Sequence, residues 1–133
     1  MITCRTYRDG GLEGERPFDP TAIERGRAEG LRLWLDVVDP TTDELEELRR
    51  TFGLHPLALE DSRNWGQRAK VEFYTEAGHL FVVAHALPMD ERGQVVDREV
   101  HLFVGQRSYL ITVRREPASA LVLYVLFKRR DWL

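Results

Sequence analysis

The sequence predicts an α/β domain: a mixed β-sheet with helices on both faces and late strands that are antiparallel. Three observations lead to this prediction. Leucines alternate with other residues over 31–35, a strongly capped amphipathic helix follows, and several segments rich in β-branched and aromatic residues come after it. Because helix signals come early and hairpin signals late, a sheet covered by helices is the favoured architecture.

The first thirty residues predict one strand and one short helix. Residues 2–7 alternate weakly, which is typical of an edge strand. The charged, glycine-containing stretch from Gly10 to Pro17 predicts a loop. Asp19-Pro20 then predicts a helix start, and Gly30 predicts its end.

The next helix carries the strongest local signals in the chain. Thr41 and Glu44 have the spacing of a capping box, in which each side chain satisfies a backbone donor of the other. Acidic residues fill the early turns and arginines the late ones, which matches the helix dipole. Leucines and Phe52 form one apolar stripe, and Gly53 is a natural C-terminal stop.

The second half predicts one short helix followed by strands. Pro56 suits the first turn of a helix that continues to Asp61. The stretch 90–93 predicts a hairpin-type turn. The segments with strand character are 71–74, 80–87, 95–104 and 109–113.

Composition excludes several classes of function. The chain has 133 residues, of which 43% are hydrophobic, and this suits one domain with a modest core. Its formal net charge of -3 leaves no excess of basic residues for phosphates, so we expect no nucleic-acid partner. The single cysteine, Cys4, excludes an intrachain disulfide and a cysteine-based zinc site. No secretory signal follows Met1.

The residues that could support catalysis lack the required surroundings, so we expect no enzyme activity. The serines have no Gly-x-Ser-x-Gly context, and Cys4 has no recognisable base near it in sequence. The four histidines never have the helical spacing of a metal-binding pair, which favours ordinary, partly buried roles. Asp97 and Glu99 are predicted to share the solvent side of a strand. Trp65 is either a packing residue or an exposed contact at a subunit boundary.

Five motifs follow one another along the chain: Trp34-Leu35-Asp36-Val37, the capped helix ending in Phe52-Gly53, the segment from His55-Pro56-Leu57 to Glu60-Asp61, Lys70-Val71-Glu72, and Tyr109-Leu110-Ile111-Thr112-Val113-Arg114. Their order and spacing resemble those of the CorA family of magnesium and cobalt channels. The resemblance covers roughly residues 33–117. It implies an α/β/α soluble domain on the cytoplasmic side of the cell membrane, below a pentameric pore.

The resemblance also implies a regulatory site for a divalent cation. In the family, such an ion bridges a carboxylate of the soluble domain to an acidic residue on the stalk of the neighbouring subunit, and the matching carboxylate here is Asp61. Glu60 is adjacent and could join through an outer-shell water. We expect Mg²⁺ or Co²⁺ to bind weakly, because the stalk partner is missing from the chain.

The resemblance divides the chain into two parts, residues 1–117 as the cytoplasmic domain and residues 118–133 as a short apolar segment with a basic tail. The tail resembles the end of the last membrane helix of a CorA channel, but the run Ala120–Phe127 is too short to span a bilayer. The family's Gly-Met-Asn signature is absent. We therefore expect ion sensing and subunit contacts, with self-association or binding to a full-length homologue, and no conduction by this chain alone. The alternative is a free-standing module that binds and regulates such a homologue.

Overall fold

Seven strands and three α-helices make up the part of the chain that the computed structural model describes, residues 1–106 and 108–115. In chain order the elements are β1 (Ile2–Arg8), β2 (Gly11–Pro17), α1 (Pro20–Ala28), β3 (Arg32–Val38), α2 (Thr42–Phe52), α3 (Pro56–Ser62), β4 (Lys70–Tyr74), a 3₁₀ turn (Thr75–Ala77), β5 (His79–Ala86), β6 (Arg98–Gly105) and β7 (Tyr109–Arg114).

The strands form one mixed sheet in the order β2-β1-β3-β7-β6-β5-β4. The central pair, β3 and β7, is parallel, with Leu35 opposite Ile111. The other neighbouring pairs in this sheet are antiparallel. The predictions of a mixed sheet and of antiparallel late strands are therefore confirmed.

The predicted helix signals are confirmed at atomic detail in α2. The Glu44 amide donates to Thr41 Oγ1 over 3.1 Å, and the Thr41 amide donates to Glu44 Oε1 over 3.0 Å. Gly53 ends the helix with a φ of 65°, a left-handed conformation that glycine adopts without steric cost. In α3, Pro56 occupies the first turn and His55 Nδ1 accepts the Leu57 amide over 3.1 Å.

The three described helices all cover the same face of the sheet. Their apolar residues, which include Ile23, Leu48 and Leu59, belong to one buried cluster with inward-facing strand residues. The opposite face has its own cluster, to which only strand residues of the described part contribute: Tyr7, Trp34, Val100, Leu102 and Leu110. The expectation of helices on both faces is therefore met on one face within residues 1–106 and 108–115.

The stretch predicted as a loop from Gly10 to Pro17 is instead mostly strand β2, and this prediction was wrong. Asp9 and Gly10 have φ values of 49° and 79°, the two left-handed conformations of a tight type I′ hairpin turn. β2 lies at the sheet edge and is largely exposed, so burial imposes no apolar alternation on it. The Asp-Gly pair was the sequence signal for this hairpin.

The predicted apolar segment Ala120–Phe127 and the basic tail lie outside the described residues. Among the residues that the structure does describe, no helix combines the length and the apolar character needed to cross a lipid bilayer.

Cys4 lies in the main core, where it is only 3% exposed. Burial raises the pKa of its thiol to about 11, although the Arg16 guanidinium opposes this shift. We expect iodoacetamide to modify native Cys4 very slowly at neutral pH, because the thiolate is the nucleophile. Mass spectrometry should show complete alkylation only after denaturant is added, and rapid alkylation of the native chain would contradict this expectation.

Candidate cation site and the segment beside it

Asp61 lies near the end of α3 with its side chain partly exposed. Ala58, Leu59 and Ser62 face the sheet and are buried, which leaves the intervening acidic residues on the outer side of the helix. The Ser62 hydroxyl donates to the Leu59 carbonyl over 2.7 Å and so tightens the last turn. The helix therefore presents the Asp61 carboxylate next to β4.

Lys70 joins Asp61 to a second carboxylate on β4. Its Nζ lies 2.6 Å from Asp61 Oδ2 and 3.1 Å from Glu72 Oε1. The hydrogen bond to Asp61 is the main reason that the pKa of Lys70 is raised. We call Asp61, Lys70 and Glu72 the charged triad. Its two carboxylates contact the same nitrogen, so one small cation could contact both.

The Glu72 carboxylate is also fixed from its other side. Tyr74 donates its hydroxyl to Glu72 Oε2 over 3.0 Å, and the pKa of Tyr74 is raised by burial first and by Glu72 second. The His55 ring stacks on Tyr74 with the ring centroids 4.5 Å apart. These contacts hold the β4 side of the charged triad in a defined position.

The structure brings Asp61 together with Glu72, whereas Glu60 is exposed. Within residues 1–106 and 108–115, no ion pair or side-chain hydrogen bond links the Glu60 carboxylate to Asp61. Its role as an outer-shell ligand stays a prediction. Glu72 was missed as a site residue, although the spacing of Lys70 and Glu72 places both on one face of a strand. The described residues contain no group of three His, Cys, Asp or Glu side chains that could hold a metal.

The segment 62–67, which we call the connecting segment, links α3 to the loop before β4 and is bound at several points. Gln67 Nε2 donates to the Asp61 carbonyl over 2.8 Å and to the Asn64 carbonyl over 2.6 Å. The Gly66 and Gln67 amides donate to Glu99 Oε2 over 2.7 and 3.2 Å. The carboxylate of Glu99 on β6 therefore anchors the connecting segment to the sheet.

Glu99 was predicted to face solvent, and this prediction was wrong, because its side chain is only 10% exposed. Its Oε1 lies 2.6 Å from His101 Nε2, and the other ring nitrogen of His101 lies 3.1 Å from the Ser62 carbonyl. Trp65 stacks on the His101 ring with centroids 4.2 Å apart and planes inclined by 16°. Trp65 therefore packs within the domain.

His85 on β5 makes a second, more exposed link to the same segment. Its Nδ1 lies 2.7 Å from Asp97 Oδ1, and its Nε2 lies 2.9 Å from the Gln67 carbonyl. The Asp97 hydrogen bond is the main reason that the pKa of His85 is raised. The histidines were expected to have ordinary, partly buried roles. The contacts of His85 and His101 with the connecting segment were not predicted.

The geometry suits reversible cation binding. Carboxylate oxygens are the ligands that Mg²⁺ prefers in proteins, and this ion commonly keeps several waters and uses one or two carboxylates. The charged triad offers such oxygens at a partly exposed position. The same position holds an ammonium group that a bound cation would have to displace.

Comparison with known proteins identifies the family. The model of the family described as "CorA-like Mg2+ transporter protein" matches residues 32–130. The chain belongs to the CorA-like Mg²⁺ transporter family. The match includes both the charged triad and the connecting segment.

Two curated relatives and one solved structure agree with this assignment. The chain is 33% identical to the magnesium transporter ALR2 of Saccharomyces cerevisiae over 65% of its own length and 10% of that protein. It is 30% identical to the cobalt/magnesium transport protein CorA of Thermotoga maritima over 66% of its length and 26% of that protein. It therefore spans only a minor part of these relatives.

The fold is that of the CorA soluble domain. The soluble domain of CorA from Methanocaldococcus jannaschii superposes with a TM-score of 0.67 at 16% identity, over 98% of this chain and 46% of that chain. The predicted family and the predicted α/β fold are both confirmed.

Proposed function

We propose that this chain acts as the cytoplasmic, cation-sensing domain of a CorA-type magnesium and cobalt transport protein and contributes contacts between subunits. In this proposal Asp61 takes up a divalent cation weakly from the cytoplasm. The observation that carries the proposal is the charged triad, which lies at the partly exposed end of α3 in a CorA-type fold.

Charge explains why this site would respond to a divalent cation. Two carboxylates about 4 Å apart repel by about 4 kcal/mol at an effective dielectric constant of about 20, and exposure reduces this figure. In the charged triad the Lys70 ammonium offsets part of this repulsion. A divalent cation in its place would neutralise both carboxylates and release the lysine. Lys70 is thus an internal competitor that keeps the affinity low.

Removing the competitor gives the sharpest test of the cation site. We expect Lys70→Met to strengthen Mg²⁺ binding by about three- to tenfold at low salt, because the two carboxylates lose their counter-charge. Asp61→Asn should weaken binding by a similar factor. Mg²⁺ titrations followed by amide chemical shifts measure the affinity, and Co²⁺ should broaden amides near the charged triad selectively.

Arg68→Met serves as the matched control because it removes the same charge from an exposed neighbouring position. It should change the affinity much less than Lys70→Met does. Equal effects of the two substitutions would indicate a general electrostatic influence, and broadening by Co²⁺ away from Asp61 would place the ion elsewhere. Either result would remove the basis of the proposed site.

A second candidate function, binding and regulation of a full-length homologue, is favoured by strand β4. This strand forms one edge of the sheet in the described part of the chain, and its residues Val71 and Phe73 are 53% and 71% exposed. Exposed apolar residues on an unpaired edge commonly mark contact surfaces. Co-purification with a full-length homologue that Phe73→Lys abolishes would support this candidate. Unchanged co-purification of that variant would argue against the β4 edge.

A further inference from the structure

Two histidines on neighbouring strands hold the connecting segment in the same chemical manner. His85 and His101 each lie between a carboxylate on one ring nitrogen and a main-chain carbonyl of the connecting segment on the other. Both partners of each ring are hydrogen-bond acceptors. A neutral imidazole has only one N–H group, so it can donate to only one of the two.

The hydrogen-bond partners of Glu99 indicate whether the proton between Glu99 and His101 resides on the carboxylate or on the ring. Oε2 of Glu99 accepts two main-chain amides, and such bonds favour the ionised carboxylate. His101 must then donate from Nε2 to Glu99 and from Nδ1 to the Ser62 carbonyl. The buried pair is joined to the segment at three main-chain groups.

His79 provides the contrasting case within the same sheet. Its Nε2 accepts the His55 amide over 3.0 Å, and its Nδ1 lies 3.3 Å from the Leu80 carbonyl. One acceptor role and one donor role suit the neutral ring. Burial lowers the pKa of His79, which agrees with that assignment. A requirement for two ring protons is thus specific to the pairs that contact the connecting segment.

We propose that His85 and His101 are positioning residues that hold the connecting segment against β5 and β6 only while both of their ring nitrogens are protonated. When either ring loses a proton, a nitrogen lone pair faces a carboxylate or carbonyl oxygen. One of the two hydrogen bonds through which that ring ties its carboxylate partner to the segment is then lost. The segment loosens as pH rises.

The direction of the pKa shifts defines the pH range in which the links persist. The pKa of His85 is raised above its usual 6.5, so its contribution is complete below about 6.5 and is lost as pH rises through the raised value. The pKa of Glu99 is lowered from 4.5; burial opposes this shift, while His101 and the two amides produce it. The contribution of Glu99 is therefore present above about 4.5 and is lost as pH falls through the lowered value.

Other charged groups also lie near His85 and His101. Asp97 and Glu99 both act on the charge of His85. The Arg115 guanidinium lies 4.7 Å from the centroid of the Trp65 ring, which in turn covers His101. Phe81 also contacts the His101 ring and has the Lys70 ammonium 5.8 Å from its own centroid.

The connecting segment transmits its position to the candidate cation site. It starts directly after Asp61, and Gln67 Nε2 bonds the Asp61 carbonyl. Release of the segment therefore removes a support from the end of α3. A resulting effect of pH on Mg²⁺ affinity rests on the proposed function, whereas release of the segment itself does not.

Amide hydrogen exchange at Gly66 and Gln67, measured by NMR on the full chain without metal, tests the proposal. After correction for intrinsic exchange, we expect the protection of these amides to fall about tenfold between about pH 5.5 and about pH 8.5. Protection in β3 should stay constant. At the lower pH, ¹⁵N shifts of His85 and His101 should show two protonated nitrogens in each ring.

The double substitution Glu99→Gln and Asp97→Asn supplies a readout that a purely structural role would not change. Each new amide can donate to a neutral histidine, while the side-chain oxygen of the glutamine introduced on β6 still accepts from the connecting segment. We expect protection in this variant to be nearly independent of pH. Glu76→Gln, an exposed carboxylate-to-amide substitution away from the connecting segment, should retain the wild-type pH profile.

Three results would overturn the proposal: constant wild-type protection across this range, an unchanged pH profile in the double variant, or singly protonated rings at the lower pH. The ring shifts are measured on the wild-type protein, so they remain informative if the double variant does not fold. If amide protection in the connecting segment depends on pH but Mg²⁺ affinity does not, this proposal holds. That result would count against the proposed cation-sensing function instead.

Discussion

Asp36→Ala should lower the free energy of unfolding by about 3–5 kcal/mol, the usual loss when one partner of a buried ion pair is removed. Asp36 and Arg114 are 5% and 6% exposed. Two nitrogens of Arg114 donate to the two Asp36 oxygens over 2.9 and 2.6 Å. Thr112 donates to the same carboxylate and accepts the Trp34 indole N–H. Without the carboxylate, the buried guanidinium loses both of its charge-assisted hydrogen bonds to Asp36.

Urea denaturation followed by circular dichroism measures this loss. Glu13→Ala is the matched control, because it breaks the ion pair between Arg8 and Glu13 at 2.6 Å on the surface and should change the stability little. Replacing Asp36 and Arg114 together by leucine should restore much of the stability. A loss below about 1 kcal/mol for Asp36→Ala would show that the arginine is satisfied without its carboxylate.

Gly105→Ala should cost about 1–3 kcal/mol or more, because a side chain at this position has no space. A Cβ atom there would lie 2.2 Å from the ring of Tyr109. The ring cannot move aside easily, since it is 7% exposed and packs against Phe52 with centroids 4.6 Å apart. Arg27 lies 5.5 Å from the centroid of the same ring and restricts it further.

Gly14→Ala is a suitable comparison for this steric effect. Gly14 is also a strand glycine, but a Cβ atom there would meet no heavy atom within 4 Å. We expect this substitution to be neutral or slightly stabilising, because alanine restricts the unfolded chain. Thermal unfolding of both variants gives the difference directly. Similar destabilisation by the two substitutions would exclude the Tyr109 contact as the cause.

Local sequence signals predicted those parts of the fold whose structure depends on neighbouring residues. The capping box of Thr41 and Glu44 and the stop at Gly53 act within a few residues of each other, so they could be recognised in the sequence. Strand β2 was not predicted from the sequence, because it is held by backbone pairing with β1 at an exposed edge of the sheet. No side-chain burial marks such a strand.

The candidate site was predicted only in part for a similar reason. The family resemblance located Asp61, but its partners Lys70 and Glu72 come from β4, and the contact depends on how α3 packs beside that strand. Glu99 was assigned to a solvated strand face, whereas the connecting segment covers it. Sequence periodicity reports which face a residue occupies, and it does not report which loop packs over that face.

The parallel pairing of β3 with β7 also determines the order in which the sheet can assemble. β1, β2 and β3 pair within the first part of the chain, and β4 to β7 pair within the last part, so each group closes short loops. The bond between Asp36 and Arg114 joins groups 78 residues apart, which requires closure of a long loop. Two locally formed half-sheets should therefore exist before they join along β3 and β7, and that joining step should limit the folding rate.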